Sequence, residues 1–120
     1  MARTAYSSHT ASIRTAQSTE FDIFAQITAR MKSAAARGRA GFPELAAAIH
    51  DSRRLGILLA GDIADGRNAL PEALRAQLFY LAEFTLRHSA KVLDGSAPAD
   101  ALVDVNTAIM RGLRQQEAAA

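Results

Sequence analysis

The sequence predicts an all-α protein, a compact bundle of about four helices with a mobile N-terminal arm. Apolar residues recur every three or four positions over most of the chain, which is the period of an amphipathic helix. Alternating runs of β-branched residues are missing, so nothing in the sequence predicts a strand. With 120 residues, 49% of them hydrophobic, the chain is long enough for one core and too short for two. We predict a flexible arm over residues 1–17, a single helical domain over residues 18–116 and a disordered tail over residues 117–120.

The first helix is predicted to begin near Ser18 or Thr19, because either side chain can accept a hydrogen bond from a free backbone amide as an N-cap. Glu20 and Asp22 then lie in the first turn, where the helix dipole favours acidic groups. The apolar stripe of this helix consists of Phe21, Phe24, Ile27, Met31 and Ala35. The glycines and arginines of residues 37–41 end the helix.

The second and third helices share an opening in which proline is followed by an acid, at Pro43-Glu44 and Pro71-Glu72. Proline is tolerated at the first helical position because its missing N–H has no partner there. The predicted inward face of the second helix consists of Leu45, Ile49, Ser52, Leu55 and Leu59, widened by Ile57, Leu58 and Ile63. The third helix is predicted to end near Leu93, with Gly95 in the left-handed conformation.

The third helix is apolar on most of its sides between Leu78 and Leu86. Such a helix is either central in the fold or covered by a partner. We therefore expect Leu81 and Phe84 to be buried. We also expect part of the surface of residues 78–86, or a groove beside it, to accept an amphipathic helix from outside. The fourth helix is predicted from Asp100, with a stripe of Leu102, Val105, Ile109 and Leu113.

Composition and charge exclude several classes of function. The net charge of +2 is too small to argue by itself for a nucleic-acid or membrane partner, and no apolar stretch is long enough to span a membrane. The absence of cysteine removes thiol nucleophiles and cysteine-based zinc sites and fits a reducing cytoplasm. We predict no membrane partner and a cytoplasmic location.

No pattern in the sequence predicts a catalytic, cofactor or metal site. His9, His50 and His88 are far apart along the chain and lack metal-ligand spacing. The acids around Gly66 lack the alternation and the closing glutamate of a calcium loop, and the lysine of a phosphate loop is missing. We therefore expect a protein that is not an enzyme and needs no cofactor.

Arg53 and Arg54 stand apart because they lie in the middle of a predicted helix, while six of the 14 basic residues lie at helix C-terminal ends, as the helix dipole favours. Two interpretations stay open. The pair stabilises the fold through Asp51, Glu44 or another helix, or it contacts an acidic or RNA partner.

Two segments of the chain resemble the FlaF family of flagellar biosynthesis regulators of alphaproteobacteria. The first is residues 70–85 and 87–93 with Gly95, and the second is residues 104–113. Upstream segments fit the family pattern in the same order, namely Ala5-Tyr6, Arg14-Thr15, residues 18–21, residues 42–45 and residues 51–55. The sequence departs from the pattern at Ser52, where asparagine is expected, and at Gly56, where a large aromatic residue is expected.

The resemblance implies a small cytoplasmic helical protein that is needed for flagellin production and export, with flagellin as the partner. It brings no catalytic residues. It also implies a companion regulator, FlbT, that acts on flagellin messenger RNA in the opposite sense. Unexported flagellin keeps its terminal amphipathic segments unpaired, and a helical bundle can cover such segments with an apolar groove. The candidate partner-binding residues are Leu78, Phe79, Tyr80, Phe84, Arg53 and Arg54.

Two alternatives to a flagellin-binding chaperone and regulator remain at this point. One is a post-transcriptional regulator that acts on flagellin messenger RNA, directly or through an FlbT-like partner, with Arg53 and Arg54 on an exposed face. The other is a small enzyme, which would need a polar cleft around His50 or His88.

Overall fold

The computed structural model describes the backbone of residues 2–119 and the side chains of residues 19–114. It contains four α-helices, α1 (Ala2–Ala36), α2 (Phe42–Ala64), α3 (Glu72–Leu93) and α4 (Asp100–Ala119), with a short 3-10 helix at Gly38–Gly41. The all-α prediction is confirmed, and the described backbone contains no strand. α1 continues through Thr19, where we expected a helix to begin. The predicted arm over residues 1–17 and the predicted tail over residues 117–120 lie outside the described side chains and stay predictions.

The helices form an up-down-up-down bundle, in which α1 and α3 each pack against both α2 and α4. Short connections favour antiparallel neighbours, and the two apolar clusters of the core confirm this order. One cluster joins the end of α1 to the start of α2, the end of α3 and the start of α4, through Met31, Ile49, Val92 and Leu102. The other cluster lies further along the bundle and is built by Phe24, Leu59, Ile63, Leu78 and Ile109.

Most predicted helix ends are confirmed. α2 has proline at its N-terminus and Glu44 in its first turn, and α3 begins directly after Pro71. Gly95 has a φ of 84°, the left-handed conformation that lets the chain leave α3 without strain. The prediction that Ile57 and Leu58 face inward is wrong, because both are exposed. They lie beyond the edge of the buried stripe, which follows Ile49, Ser52, Gly56, Leu59 and Ile63.

A layer of buried polar side chains separates the two apolar clusters. Every helix contributes to it, and its members are Thr28, Ser52, Thr85, Ser89 and Asn106. The hydroxyl groups of three of these residues donate hydrogen bonds to backbone carbonyls of their own helix. One example is the 2.6 Å bond from Thr28 Oγ1 to the Phe24 carbonyl oxygen. Buried hydroxyl groups need such partners because burying them unpaired costs free energy. We call this set the central polar layer.

Ser52 and Asn106 pair across the middle of the bundle, between the diagonally opposed helices α2 and α4. Ser52 Oγ lies 3.5 Å from Asn106 Oδ1 and 3.3 Å from its Nδ2. Gly56, one turn after Ser52, is also buried, and a Cβ atom there would lie 3.9 Å from the Ala82 carbonyl oxygen. A methyl group therefore fits at position 56, whereas a large aromatic ring would have to displace its neighbours. The departures at Ser52 and Gly56 thus lie together in the interior.

The turn between α2 and α3 is closed by its own side chains. Asp65 accepts hydrogen bonds from the backbone and the guanidinium of Arg67, which lower the pKa of its carboxyl group. Asn68 donates to the Asp62 carbonyl at 3.0 Å. Arg75 reaches back from α3 and donates from Nη2 to the Ile63 carbonyl at 2.9 Å, which satisfies a free carbonyl at the end of α2. These bonds hold the start of α3 against the end of α2.

The Ser52–Asn106 pair yields a test of the central polar layer. Ser52→Ala leaves the buried amide of Asn106 without this partner and should lower the free energy of unfolding by about 1–3 kcal/mol. Adding Asn106→Leu removes the unpaired amide and should recover most of that loss. Urea denaturation measures both, with Ser33→Ala, an exposed serine on α1, as the control. A single variant as stable as the parent would contradict this role.

Candidate binding surfaces

The large apolar side chains that remain exposed are concentrated on two helices. Within residues 19–114 these side chains are Ile23, Phe42, Ile57, Leu58, Phe79 and Tyr80. Most of them lie on α2 and α3, and Tyr80 and Leu58 are 63% and 65% exposed. Scattered exposed leucines are ordinary on protein surfaces, but a group of them on neighbouring helices marks a candidate interaction site.

One group lies along the outer side of the α2–α3 contact. Phe79 and Ala76 of α3 line a groove with Ile63 and Ala64 of α2. Ile57 precedes Ala64 by seven residues and so lies on the same side of α2. Tyr80 follows Phe79 on the solvent side of α3. We call Ile57, Ala64, Ala76, Phe79 and Tyr80 the α2–α3 surface.

The other candidate residues of α3 point in different directions and differ in burial. Leu78 is 1% exposed in the core and so lies away from the surface. Phe84 is only half-buried and stacks on His88, with ring centroids 4.9 Å apart. Leu81, which we also expected to be buried, is half-buried. The expectation that Phe84 and Leu81 are buried is thus met only in part, because successive helical residues point about 100° apart and only one stripe of α3 faces the interior.

Arg53 and Arg54 are both exposed, and within residues 19–114 neither makes an ion pair. The carboxylates considered as their partners are engaged elsewhere. Asp51 binds Arg30 at 2.8 Å, and Glu44 lies 3.7 Å from Arg37. Arg54 lines a groove between α1 and α2, whereas Arg53 points about 100° away from it. The two arginines therefore do not line the same groove.

The groove between α1 and α2 was not predicted. It has a volume of about 240 Å³, and its apolar wall is formed by Ile23, Ile27, Leu55 and Leu58. Its signal in the sequence was faint, since Ile23 lies outside the apolar stripe of α1 and Leu58 was placed on the inward face. We call these four residues, with Arg30, Asp51 and Arg54, the α1–α2 groove.

Beyond this groove, Glu20 precedes Ile23 of α1 by three residues and Asp62 follows Leu58 of α2 by four, so both carboxylates lie on the groove sides of their helices. Burial, and then the negative charge of Asp62, raise the pKa of the Glu20 carboxyl group above its ordinary value of 4.5. Within residues 19–114 neither carboxylate makes an ion pair. Two like charges thus lie close together at this end of the α1–α2 contact, where they oppose folding.

The groups tested for chemistry lie apart from one another. His50 is exposed, and the Nε2 atom of His88 is buried with no hydrogen-bond partner among the described side chains. Asp65, from the loop compared with a calcium site, is bound by Arg67. Within the described residues, no three histidine or acidic side chains are placed to hold a metal ion.

A family model described as "Flagellar protein FlaF" matches residues 2–113, nearly the whole chain. The chain belongs to the FlaF family. The match includes α2, α3 and most of α4, so the resemblance seen in residues 70–95 and 104–113 extends over the bundle. No curated protein and no solved structure matches this FlaF-family chain significantly. In the described part of the chain, every helix is too short or too polar to cross a membrane.

The Glu20–Asp62 contact predicts an unusual dependence on pH. A carboxyl group whose pKa is raised by folding destabilises the protein while it is ionised. That penalty is complete above the raised pKa and disappears as the pH falls through it towards 4.5. Glu20→Gln should therefore increase the free energy of unfolding at pH 7, by less than about 1 kcal/mol because Glu20 is partly exposed.

The advantage of Glu20→Gln should be lost below about pH 4, where the parent carboxyl group is also neutral in both states. Urea denaturation at both pH values measures it, and Asp22→Asn, an exposed acid two residues away, is the matched control. A Glu20→Gln variant less stable than the parent at pH 7 would show instead that the carboxylate is held by a favourable partner.

Proposed function

We propose that this FlaF-family protein binds flagellin before export and supports its synthesis and export, as a chaperone-like cytoplasmic protein without enzymatic activity. The family places the chain among flagellar proteins. Flagellin is the partner that the resemblance to this family implies. A partner with unpaired amphipathic helices is of the kind that an exposed apolar face on a helical bundle can cover.

The observation that carries the proposal is the exposure of aromatic side chains on the α2–α3 surface. Tyr80 is 63% and Phe79 38% exposed, which leaves roughly 200 Å² of aromatic surface in water. Covering that area corresponds to about 5 kcal/mol before the cost of association. Aromatic residues also dominate the energetics of protein interfaces. Phe79 and Tyr80 are thus the anchors that we assign to flagellin.

Rigid placement of these anchors supports a binding role. Phe79 lies one turn after Arg75, whose guanidinium is bonded to the end of α2. Ile63, beneath the groove, belongs to the apolar core. The surface is therefore formed before the partner arrives, which reduces the ordering cost of association.

Removing the two anchors tests the proposal. We expect the parent to bind unpolymerised flagellin one to one, in the micromolar range or tighter, around −8 kcal/mol, with the negative heat-capacity change of apolar burial. Phe79→Ala with Tyr80→Ala should weaken binding by at least about tenfold, roughly 1.4 kcal/mol. Isothermal titration measures this, and Phe42→Ala, an exposed phenylalanine at the opposite end of α2, is the matched control. The proposal fails if the parent gives no heat and does not co-elute with flagellin at tens of micromolar.

Direct action on flagellin messenger RNA is the second candidate function, and the exposure of Arg53 and Arg54 favours it. It predicts RNA binding that weakens with salt and is lost when both arginines are replaced by glutamine. Because neither arginine makes an ion pair in the described residues, the double variant should change the free energy of unfolding by less than about 0.5 kcal/mol. Filter binding with flagellin messenger RNA at two salt concentrations measures the affinity of the parent and of the variant for RNA. RNA binding equal in parent and variant would remove the arginines from this role.

A further inference from the structure

The α1–α2 groove has a charged boundary at each end and an apolar wall between. At one end Arg30 and Asp51 bind each other at 2.8 Å, and Arg54 beside them adds a positive charge that no carboxylate within residues 19–114 pairs. Towards the other end lie Glu20, one turn before Ile23 on α1, and Asp62, one turn after Leu58 on α2, so both continue the groove sides of their helices. Within the same range neither carboxylate makes an ion pair. The apolar residues of the wall lie between these ends along both helices. The groove is thus polarised along its length.

The apolar wall is open to a partner. Leu58 is 65% exposed and Ile23 38% exposed, one on each helix of the groove. Both lie above Ile27, which is buried in the core. The groove is smaller than the roughly 300–1,000 Å³ typical of sites for small organic ligands. Its shape between two antiparallel helices suits an elongated apolar ridge instead.

We propose that the α1–α2 groove binds an amphipathic helix of a partner protein that carries one basic and one acidic side chain seven or eight residues, about two helical turns, apart beside its apolar stripe. The spacing follows from α2, where Arg54 and Asp62 are eight residues apart, about 12 Å along the helix axis. The acidic side chain pairs with Arg54. The basic side chain lies between Glu20 and Asp62 and relieves their repulsion.

Charge complementarity is the argument for this occupant over a purely apolar one. The raised pKa of Glu20 reflects first its burial and then the nearby negative charge of Asp62, so a cation beside these carboxylates is favoured on both counts. A partner cation would turn this repulsion into two attractive contacts. Arg54, by contrast, is exposed and only exchanges its water contacts for one carboxylate of the partner. The acidic end of the groove should therefore contribute more to the choice between partner helices. This groove is separate from the α2–α3 surface and does not rest on the proposed flagellin binding.

Synthetic peptides test the proposal without knowledge of the natural partner. Two labelled 18-residue amphipathic helices would share a leucine stripe and differ at one position. The matched peptide carries lysine and glutamate seven residues apart, and the acidic peptide carries glutamate at both positions. Fluorescence anisotropy with the full-length protein should show the matched peptide binding at least about tenfold more tightly. Saturation by neither peptide up to 1 mM, on the order of −4 kcal/mol, or equal affinity for both, would overturn the proposal.

Protein variants then locate the binding site. Asp62→Lys should reverse the preference in favour of the acidic peptide, and Leu58→Glu should weaken binding of the matched peptide by more than about tenfold, roughly 1.4 kcal/mol. Asp104→Lys, an equal charge change at an exposed site on α4, is the control and should change neither affinity. An unchanged preference in the Asp62 variant would overturn the proposal.

Further measurements separate the alternatives. Circular dichroism and urea denaturation establish that each variant is folded. Sedimentation equilibrium asks whether the free protein self-associates in a way that Leu58→Glu abolishes, which would assign the groove to a second copy of this chain and overturn the proposal. Loss of flagellin binding in the Phe79 and Tyr80 variant with unchanged peptide binding would show that the two surfaces act independently.

Discussion

The fold depends on the central polar layer, in which Ser52 pairs with Asn106 across the bundle. These residues belong to the diagonal helices α2 and α4, whose backbones do not pack directly against each other in the described part of the chain, and their side chains meet at the bundle centre. A one-residue slip of either helix would bury an unpaired amide or hydroxyl group, at a cost of about 1–3 kcal/mol. Apolar side chains tolerate such slips far better. The polar pair therefore sets the axial position of the helices, while the two apolar clusters supply most of the stabilisation.

Positions around this pair were predictable only in part from the sequence. Ser52 was placed on the inward face because it falls in the apolar period of α2, and the prediction is confirmed. Asn106 was not expected in the core, since a single-helix period cannot reveal that a polar residue finds its partner 54 residues away. Pro43 and Gly95 lie where they were predicted, because helix ends depend on local backbone chemistry. Pro71 differs, since it precedes α3 with an extended backbone instead of occupying a helical position.

The candidate surfaces show a similar division. The excess of apolar residues on α3 predicted an exposed apolar surface, and Phe79 and Tyr80 are the exposed residues that form it. The sequence could not show that Leu78 is buried while Phe79 and Tyr80 are exposed. Which side of α3 faces the interior depends on the helices that pack around it. Ile57 and Leu58 were assigned to the interior for the same reason. α2 needs only one narrow stripe to pack against α1 and α3, so apolar residues beside that stripe remain exposed on either flank.

Narrow packing stripes connect the fold to its proposed roles. The buried stripe of α2 is one narrow row in which large residues such as Ile49 and Leu59 alternate with small ones such as Ser52 and Gly56. Ile57 and Leu58 fall outside this row and are left exposed. Ile57 falls at the α3 edge and Leu58 at the α1 edge, about 100° apart. One helix thus contributes an exposed apolar residue to each of two surfaces, one with the aromatic residues Phe79 and Tyr80 and the other with Arg54 and Asp51. A core rich in small residues limits the apolar area that the bundle can bury by itself, and the side chains it leaves exposed are those available to partners.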